Sequence, residues 1–300
     1  MRRFHANLLM LCAALIWGVT FSIQQLAMEH ISPTWFTGLR FVLGALVVLP
    51  LALREYRRKA GQDGQGVERA SWPWMMTTGC ALFLGALFQQ YGIEQTTVAN
   101  AGFLTALYVP LTPVIAFFIL RQPMHPATWA AAFACLMGAY MMSGGRLDAF
   151  NVGDIWVIIG AVFWAIHIML VGYITQRTGT PFIVSCVQFS VVGVLGMIFG
   201  AALENISWQA IIDAAPMIAF SGLLSVGMGF TIQVVAQKYT PPADAAVILS
   251  SETVFAAIAG AIILDERIGA LQWSGGALIF AGVLAVELLP LILKKARKRA

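Results

Sequence analysis

A chain of 300 residues that is 59% hydrophobic and 11% charged, with a mean hydropathy of +0.81, has too little polar surface to cover a soluble globule of that size. It reads as an integral membrane protein, so the formal net charge of +4 is set against anionic lipid headgroups and gives no reason to invoke nucleic acid. The four cysteines lack C-x-x-C spacing, the four histidines are scattered, and no Walker loop, nucleophile elbow or H-E-x-x-H motif occurs; no metal, no cofactor and no enzymatic activity are expected.

About 20 apolar residues cross about 30 Å of hydrocarbon as a helix. On that rule ten transmembrane helices are predicted, at 6–28, 33–53, 72–94, 98–120, 125–143, 152–175, 181–203, 211–237, 243–264 and 270–292. The fold class is therefore all-α. The runs do not alternate as outer-membrane strands would. One long charged connection, residues 54–69, interrupts a series of short turns. The opening MRRF resembles the start of a signal peptide, but the apolar run continues to span length with no A-x-A site, so no processing is expected.

Lys and Arg set the orientation. With a cytoplasmic N-terminus, the inside receives Arg2, Arg3, Arg54, Arg57, Arg58, Lys59, Arg69, Arg121, Arg177, Lys238 and the tail KKARKR. The outside receives Arg146 and Arg267. Both termini are thus expected in the cytoplasm of a cell whose inner membrane holds the protein.

A shift of about 144 positions brings Gly85 onto Gly229, Gln89 onto Gln233, Thr96 onto Thr240, Trp129 onto Trp273 and Gly138 onto Gly282. At a slightly larger offset Pro33 meets Pro181 and Trp17 meets Trp164. Membrane composition alone would match Ala and Leu, but not Gln, Thr and Trp in register. The chain divides into repeats 1–147 and 148–300 of five spans each. Because five is odd, the second repeat enters the membrane with the opposite sense. Inverted repeats suit secondary transporters, in which two halves rock about a site near the midplane.

Three stretches carry a resemblance: ALIWGVTFSIQ, then PTWFTGLRFVLGALVVL with its Arg, then ILDERIGALQWSGGALIFAGVLAV. They are similar, in order along nearly the whole chain, to the EamA family of the drug/metabolite transporter (DMT) superfamily, and most resemble bacterial amino-acid exporters of the YddG type. The resemblance implies a ten-helix basket around a central cavity. Its first, third, fourth, sixth, eighth and ninth helices would line the path, and the fifth and tenth would stay peripheral. Departures exist: ILRQPM stands in the first half where ILDERI stands in the second, and Arg40 becomes Gln188.

The residues point to where cargo would bind. Glu252 lies mid-span in AAVILSSETVFAAIAGAIIL, where a carboxylate costs roughly 2.5–3.5 kcal/mol on insertion scales. It faces the cavity to meet an ammonium or carry a proton, or else it is paired with Arg40 or capped by Ser250 and Ser251. Its repeat equivalent is Tyr108, beside Pro110 and Pro113, which should kink or open the fourth helix at the same depth. Gln89 and Gln233 hydrogen-bond a polar solute or each other. His167 is a second candidate proton carrier or a satisfied packing group. Trp17 and Trp164 form an aromatic wall or pack the core. Ser251 joins this cavity set. Arg40 is read as structural, held by carbonyls or a carboxylate.

Gly138, Gly144, Gly145, Gly275, Gly276 and Gly282 allow close helix approach, joining the halves or supporting a homodimer, so monomer and homodimer both stay open. The expected function is export of small metabolites, amino acids foremost, by alternating access. Exporters of nucleosides or cationic drugs share these features, and a channel or scaffold is the reading outside the class.

Overall fold

The computed structural model describes residues 3–63, 67–121, 126–142, 144–145, 151–265 and 267–297; Arg2, His125, Arg146, Lys298 and Arg299 lie outside them. All regular structure among the described residues is helical. The first half holds α1 (Arg3–Ala27), α2 (Pro33–Asp63), α3 (Ser71–Ile93), α4 (Val98–Thr105), α5 (Tyr108–Leu120) and α6 (Pro126–Met142). The second holds α7 (Val152–Thr178), α8 (Pro181–Leu203), α9 (Trp208–Phe220), a π-helical stretch (Ser221–Phe230), α10 (Thr231–Gln237), α11 (Pro242–Leu249), α12 (Glu252–Ile263) and α13 (Ala270–Arg297).

Among the described residues, seven helical runs are long and apolar enough to cross a membrane, and Thr128–Met142 and Ala270–Ala285 are shorter apolar helices. Helix α2 runs ten residues past the predicted boundary, because Arg, Glu, Lys and Ala beyond Leu53 are good helix formers. The exterior is that of a protein dissolved in lipid: Phe118 is 74% and Ile262 77% exposed. Trp72, Trp74, Trp129 and Trp273 are exposed near helix ends, where an aromatic belt belongs.

Without a hydrophobic force between helices in lipid, close backbone approach has to hold the bundle together, and small residues permit it. Helix α2 packs against α8, α3 against α7, α6 against α13 and α1 against α12. A Cβ added at Gly196 would lie 2.5 Å from the Gly38 Cα, and one at Gly275 would lie 2.5 Å from the Gly138 carbonyl. Gly138, Gly275 and Gly282 therefore join the two halves through α6 and α13. Gly144 and Gly145 serve a different purpose, turning the chain after α6 at φ +89 and +68.

The α2–α8 pair carries a second device. Glu204, just past the end of α8, receives the hydroxyls of Ser32 (2.6 Å), Thr34 and Tyr91 (2.8 Å) and the backbone N–H of Thr34 and Trp35 (both 3.2 Å) at the start of α2. At the other end, Glu55 of α2 receives the backbone N–H of Ile183 (2.9 Å) in the first turn of α8. Each helix supplies a carboxylate to the N-terminus of its antiparallel neighbour, where free N–H groups and the helix dipole favour negative charge. Burial pushes the Glu204 carboxyl up, but the hydrogen bonds from Ser32, Thr34, Tyr91 and Trp35 more than offset it and leave the group below the usual glutamate range.

Because the folded carboxyl of Glu204 sits below its unfolded value, its stabilisation is complete above the ordinary glutamate pKa and fades as pH falls towards the folded value. Glu204→Ala is expected to remove on the order of 1 kcal/mol, as cap removals do, and to lower the melting temperature of purified protein at pH 7. At pH values below the folded value the variant and the parent should melt together.

Candidate functional site

The fourth and ninth predicted spans are each interrupted at equivalent places. Between α4 and α5 the chain tightens at Ala106 and Leu107, with Leu107 N–H bonding to Leu104 C=O and Val109 N–H to Ala106 C=O. The interruption precedes the prolines instead of falling on them. Pro110 has no N–H to give to Ala106, four residues back, and its ring crowds that carbonyl. Pro113 then continues inside α5. Between α11 and α12 the tightening falls at Ser250 and Ser251, whose hydroxyls bond back to the carbonyls of Val247 (2.7 Å) and Ile248 (2.8 Å). Tyr108 and Glu252 are thus the first residues of α5 and α12, each at the head of a half-helix inside the bundle.

They open onto one cavity, which with the space open to solvent comprises about 500 Å³. Trp17, Thr20 and Gln24 of α1, Arg40 of α2, Gln89 of α3 and Trp164 of α7 form part of its wall. Phe230 at the end of the π-helical stretch and Gln233 of α10 close another side. Among the described residues, α6 and α13 supply none of the lining.

The wall is aromatic and polar together. Trp164 stacks on Phe230 with centroids 5.7 Å apart and planes 8° from parallel, and Trp17 lies 4.6 Å from the same ring. The Trp17 indole donates to the Ser225 carbonyl at 3.3 Å, inside the π-helical stretch, where regular α-helical bonding is relaxed. Gln89 donates to the Thr105 hydroxyl at 2.8 Å, not to Gln233. Glu252 is 5% exposed, forms no ion pair with Arg40 and receives neither serine hydroxyl, so the pairing and capping expected as alternatives for it are absent. The Tyr108 hydroxyl lies near the Glu252 carboxylate without reaching hydrogen-bond geometry.

Four buried polar atoms on this wall have no partner among the described residues: Tyr108 Oη, Trp164 Nε1, Gln233 Oε1 and Arg40 Nε. They are four of seventeen such atoms among the described residues, and what sets these four apart is that their residues line one cavity beside a buried carboxylate, which suits a polar occupant.

Two expected members stand elsewhere. His167 is fully buried behind the wall, its Nε2 2.8 Å from Gln188 Oε1 and its ring edge-on to Trp164, so it does not line the cavity. Ser251 faces back into its own helix. Arg40 also departs from expectation: a side-chain amide, Gln24, receives its Nη1, and no carboxylate or backbone carbonyl among the described residues does.

Two polar clusters that the sequence reading passed over lie at opposite ends of the helices. Away from the termini, Asp154 of α7 receives the Thr96 hydroxyl (2.8 Å) and the Asn100 side chain of α4. At the termini, Thr240 donates to Asn7 of α1 (2.7 Å), while Asp244 of α11 receives Arg3 (2.6 Å) and Thr128 (3.2 Å). Thr96 and Thr240 are repeat equivalents, as are Asn100 and Asp244, and Asn7 corresponds to Asp154. Each cluster ties the first helix of one half to the fourth span of the other. The Thr96/Thr240 identity was the available signal.

The chain is similar to known proteins throughout its length. The profile of the EamA-like transporter family matches residues 5–144 and 151–288. An uncharacterized transporter of Archaeoglobus fulgidus is 29% identical over 96% of this chain and 87% of its own. The uncharacterized transporter YwfM of Bacillus subtilis is 25% identical over 95% and 94%, and the uncharacterized inner membrane transporter YedA of Escherichia coli K12 is 24% identical over 90% and 87%. A solved crystal structure shares the fold with a TM-score of 0.78 over 98% of this chain and 99% of its own, at 19% identity. With both halves matched to one profile and the cavity formed between them, the protein belongs to the EamA-like transporter family.

Proposed function

We propose that this protein exports small zwitterions, amino acids foremost, from the cytoplasm across the inner membrane by alternating access, with ten spans and both termini inside. The observation that carries the reading is the central cavity with its unpaired polar atoms, its buried carboxylate and its aromatic wall. Glu252 offers a negative charge to an ammonium, or takes a proton in exchange, and the Trp17–Phe230–Trp164 wall offers π faces to an apolar or cationic side chain. The resemblance of the sequence motifs to YddG-type exporters favours the amino-acid reading. The charge pattern supports the orientation: Arg3, Arg54, Arg57, Arg58, Lys59, Arg177 and Lys238 gather at the termini end, and Glu94, Asp154 and Glu204 at the opposite end.

The two polar clusters supply what alternating access requires, an element at each end whose bonds must break for that end to open. In this reading the Asp154 cluster latches the periplasmic side and the Asp244 cluster the cytoplasmic side.

Counterflow in proteoliposomes tests the transport reading: unlabelled amino acids inside should drive saturable uptake of labelled threonine, methionine or phenylalanine. Glu252→Gln, which keeps the shape and removes the charge, is expected to lower that exchange tenfold or more, in line with the loss of one charged hydrogen bond. Unchanged exchange would take the ammonium role from Glu252, and no exchange of any amino acid by folded protein would end the amino-acid reading.

A second experiment addresses the latches. In a protein whose four cysteines are replaced, Thr20→Cys places a thiol on the cavity wall. Asp154→Ala is expected to speed its labelling by an impermeant maleimide from the periplasmic side about tenfold, as losing ~1.5 kcal/mol of charge-assisted bonding shifts a two-state balance. Asp244→Ala should slow it. Equal rates in all three proteins would show that neither cluster gates access.

A further inference from the structure

The cavity holds a cation that no described residue neutralises. Arg40 is 3% exposed, on the cavity wall, and the only hydrogen bond it makes to a described residue is from Nη1 to the Gln24 side-chain oxygen. No described carboxylate lies within ion-pair distance of it. The rings of Phe36 and Phe41, 5.1 and 5.3 Å from the guanidinium carbon, give partial compensation through their π faces. A guanidinium keeps its charge, and a buried charge without a counter-ion is costly, so its retention on a cavity wall calls for an occupant that supplies the missing anion.

The geometry of the free donors says what kind. With Nη1 held by Gln24, the side-on edge formed by Nε and Nη2 is left, and the buried Nε has no partner among the described residues. Two parallel N–H groups on one edge of a planar cation match the two oxygens of a carboxylate. The repeat equivalent shows the contrast. Where Arg40 would recur, Gln188 stands instead, neutral and engaged with His167, so the second half carries no such charge.

We propose that Arg40, positioned by Gln24, is the carboxylate subsite of the transported molecule. On the amino-acid reading above, the cargo lies between Arg40, which takes its carboxylate, and Glu252, which takes its ammonium. That arrangement makes a free carboxylate a requirement for cargo. It also turns α2, which the resemblance leaves out of the path, into part of the binding site.

The experiment measures protection of purified protein against thermal unfolding by phenylalanine, its methyl ester, phenethylamine and phenylpropionate, alongside counterflow of labelled phenylalanine. Expected are protection and competition by phenylalanine, weaker protection by phenylpropionate, and at least tenfold higher half-effective concentrations for the ester and the amine. Arg40→Gln should raise the value for phenylalanine and phenylpropionate at least tenfold and leave those for the ester and amine unchanged, and Gln24→Ala should give a smaller change in the same direction. Equal action of acid, ester and amine on the parent protein would overturn the proposal without any variant, and so would protection by none of them. Should Arg40→Gln fail to fold, the parent ligand series and Gln24→Ala still decide. Arg40-dependent protection by phenylpropionate without amino-acid counterflow would uphold the subsite and discard the amino-acid reading. Amino-acid counterflow inhibited equally by the ester would do the reverse.

Discussion

Inside hydrocarbon a polar group finds its partner within the protein or goes without, and this constraint organises the whole molecule. The long helices answer it for the backbone. Where helices begin, the free N–H groups of α2 and α8 are met by carboxylates from each other, Glu204 and Glu55. Hydroxyls of Ser250, Ser251 and Thr112 bond back to carbonyls of their own helices. Of the seventeen buried side-chain polar atoms left without a partner among the described residues, those of Tyr108, Trp164, Gln233 and Arg40 belong to residues that line one cavity.

The inverted repeat explains why the cavity is central. Both interrupted spans place their second half-helix at the same level, so Tyr108 and Glu252 face one space from the two halves. Symmetry is then broken by chemistry. Tyr108 and Glu252 differ in charge, Arg40 and Gln188 differ in charge, and the π-helical stretch has a regular α-helix, α3, as its counterpart. A carrier built from equivalent halves still needs unlike ends for an unlike-ended molecule. These three differences touch the cavity or stand directly behind it.

Much of the architecture was legible because it rests on one-dimensional patterns. Apolar run length marks the helices, and Gln89/Gln233 and Thr96/Thr240 mark the repeat. Glu252 drew notice because a carboxylate inside twenty apolar residues has no cheap explanation. The contacts that join distant segments were not legible. Glu55 and Glu204 look like ordinary residues at span ends until their partners, more than a hundred positions away, are brought beside them. His167 looks like a cavity group until Gln188 is seen to hold it. The π-helical stretch SGLLSVGMGF has no local signature beyond its glycines, since i→i+5 bonding is set by what packs around it.

The reciprocal caps also bear on how the chain comes to be folded. Glu204 follows Thr34 by 170 residues, and Ile183 follows Glu55 by 128. During synthesis α2 enters the bilayer with its N-terminal donors uncapped, and they stay so until the eighth element has been made. Arg3 waits longer still, 241 residues, for Asp244. The first half is therefore an unfinished object when it is inserted. The contacts that close its ends can form only once the opposing half has been made.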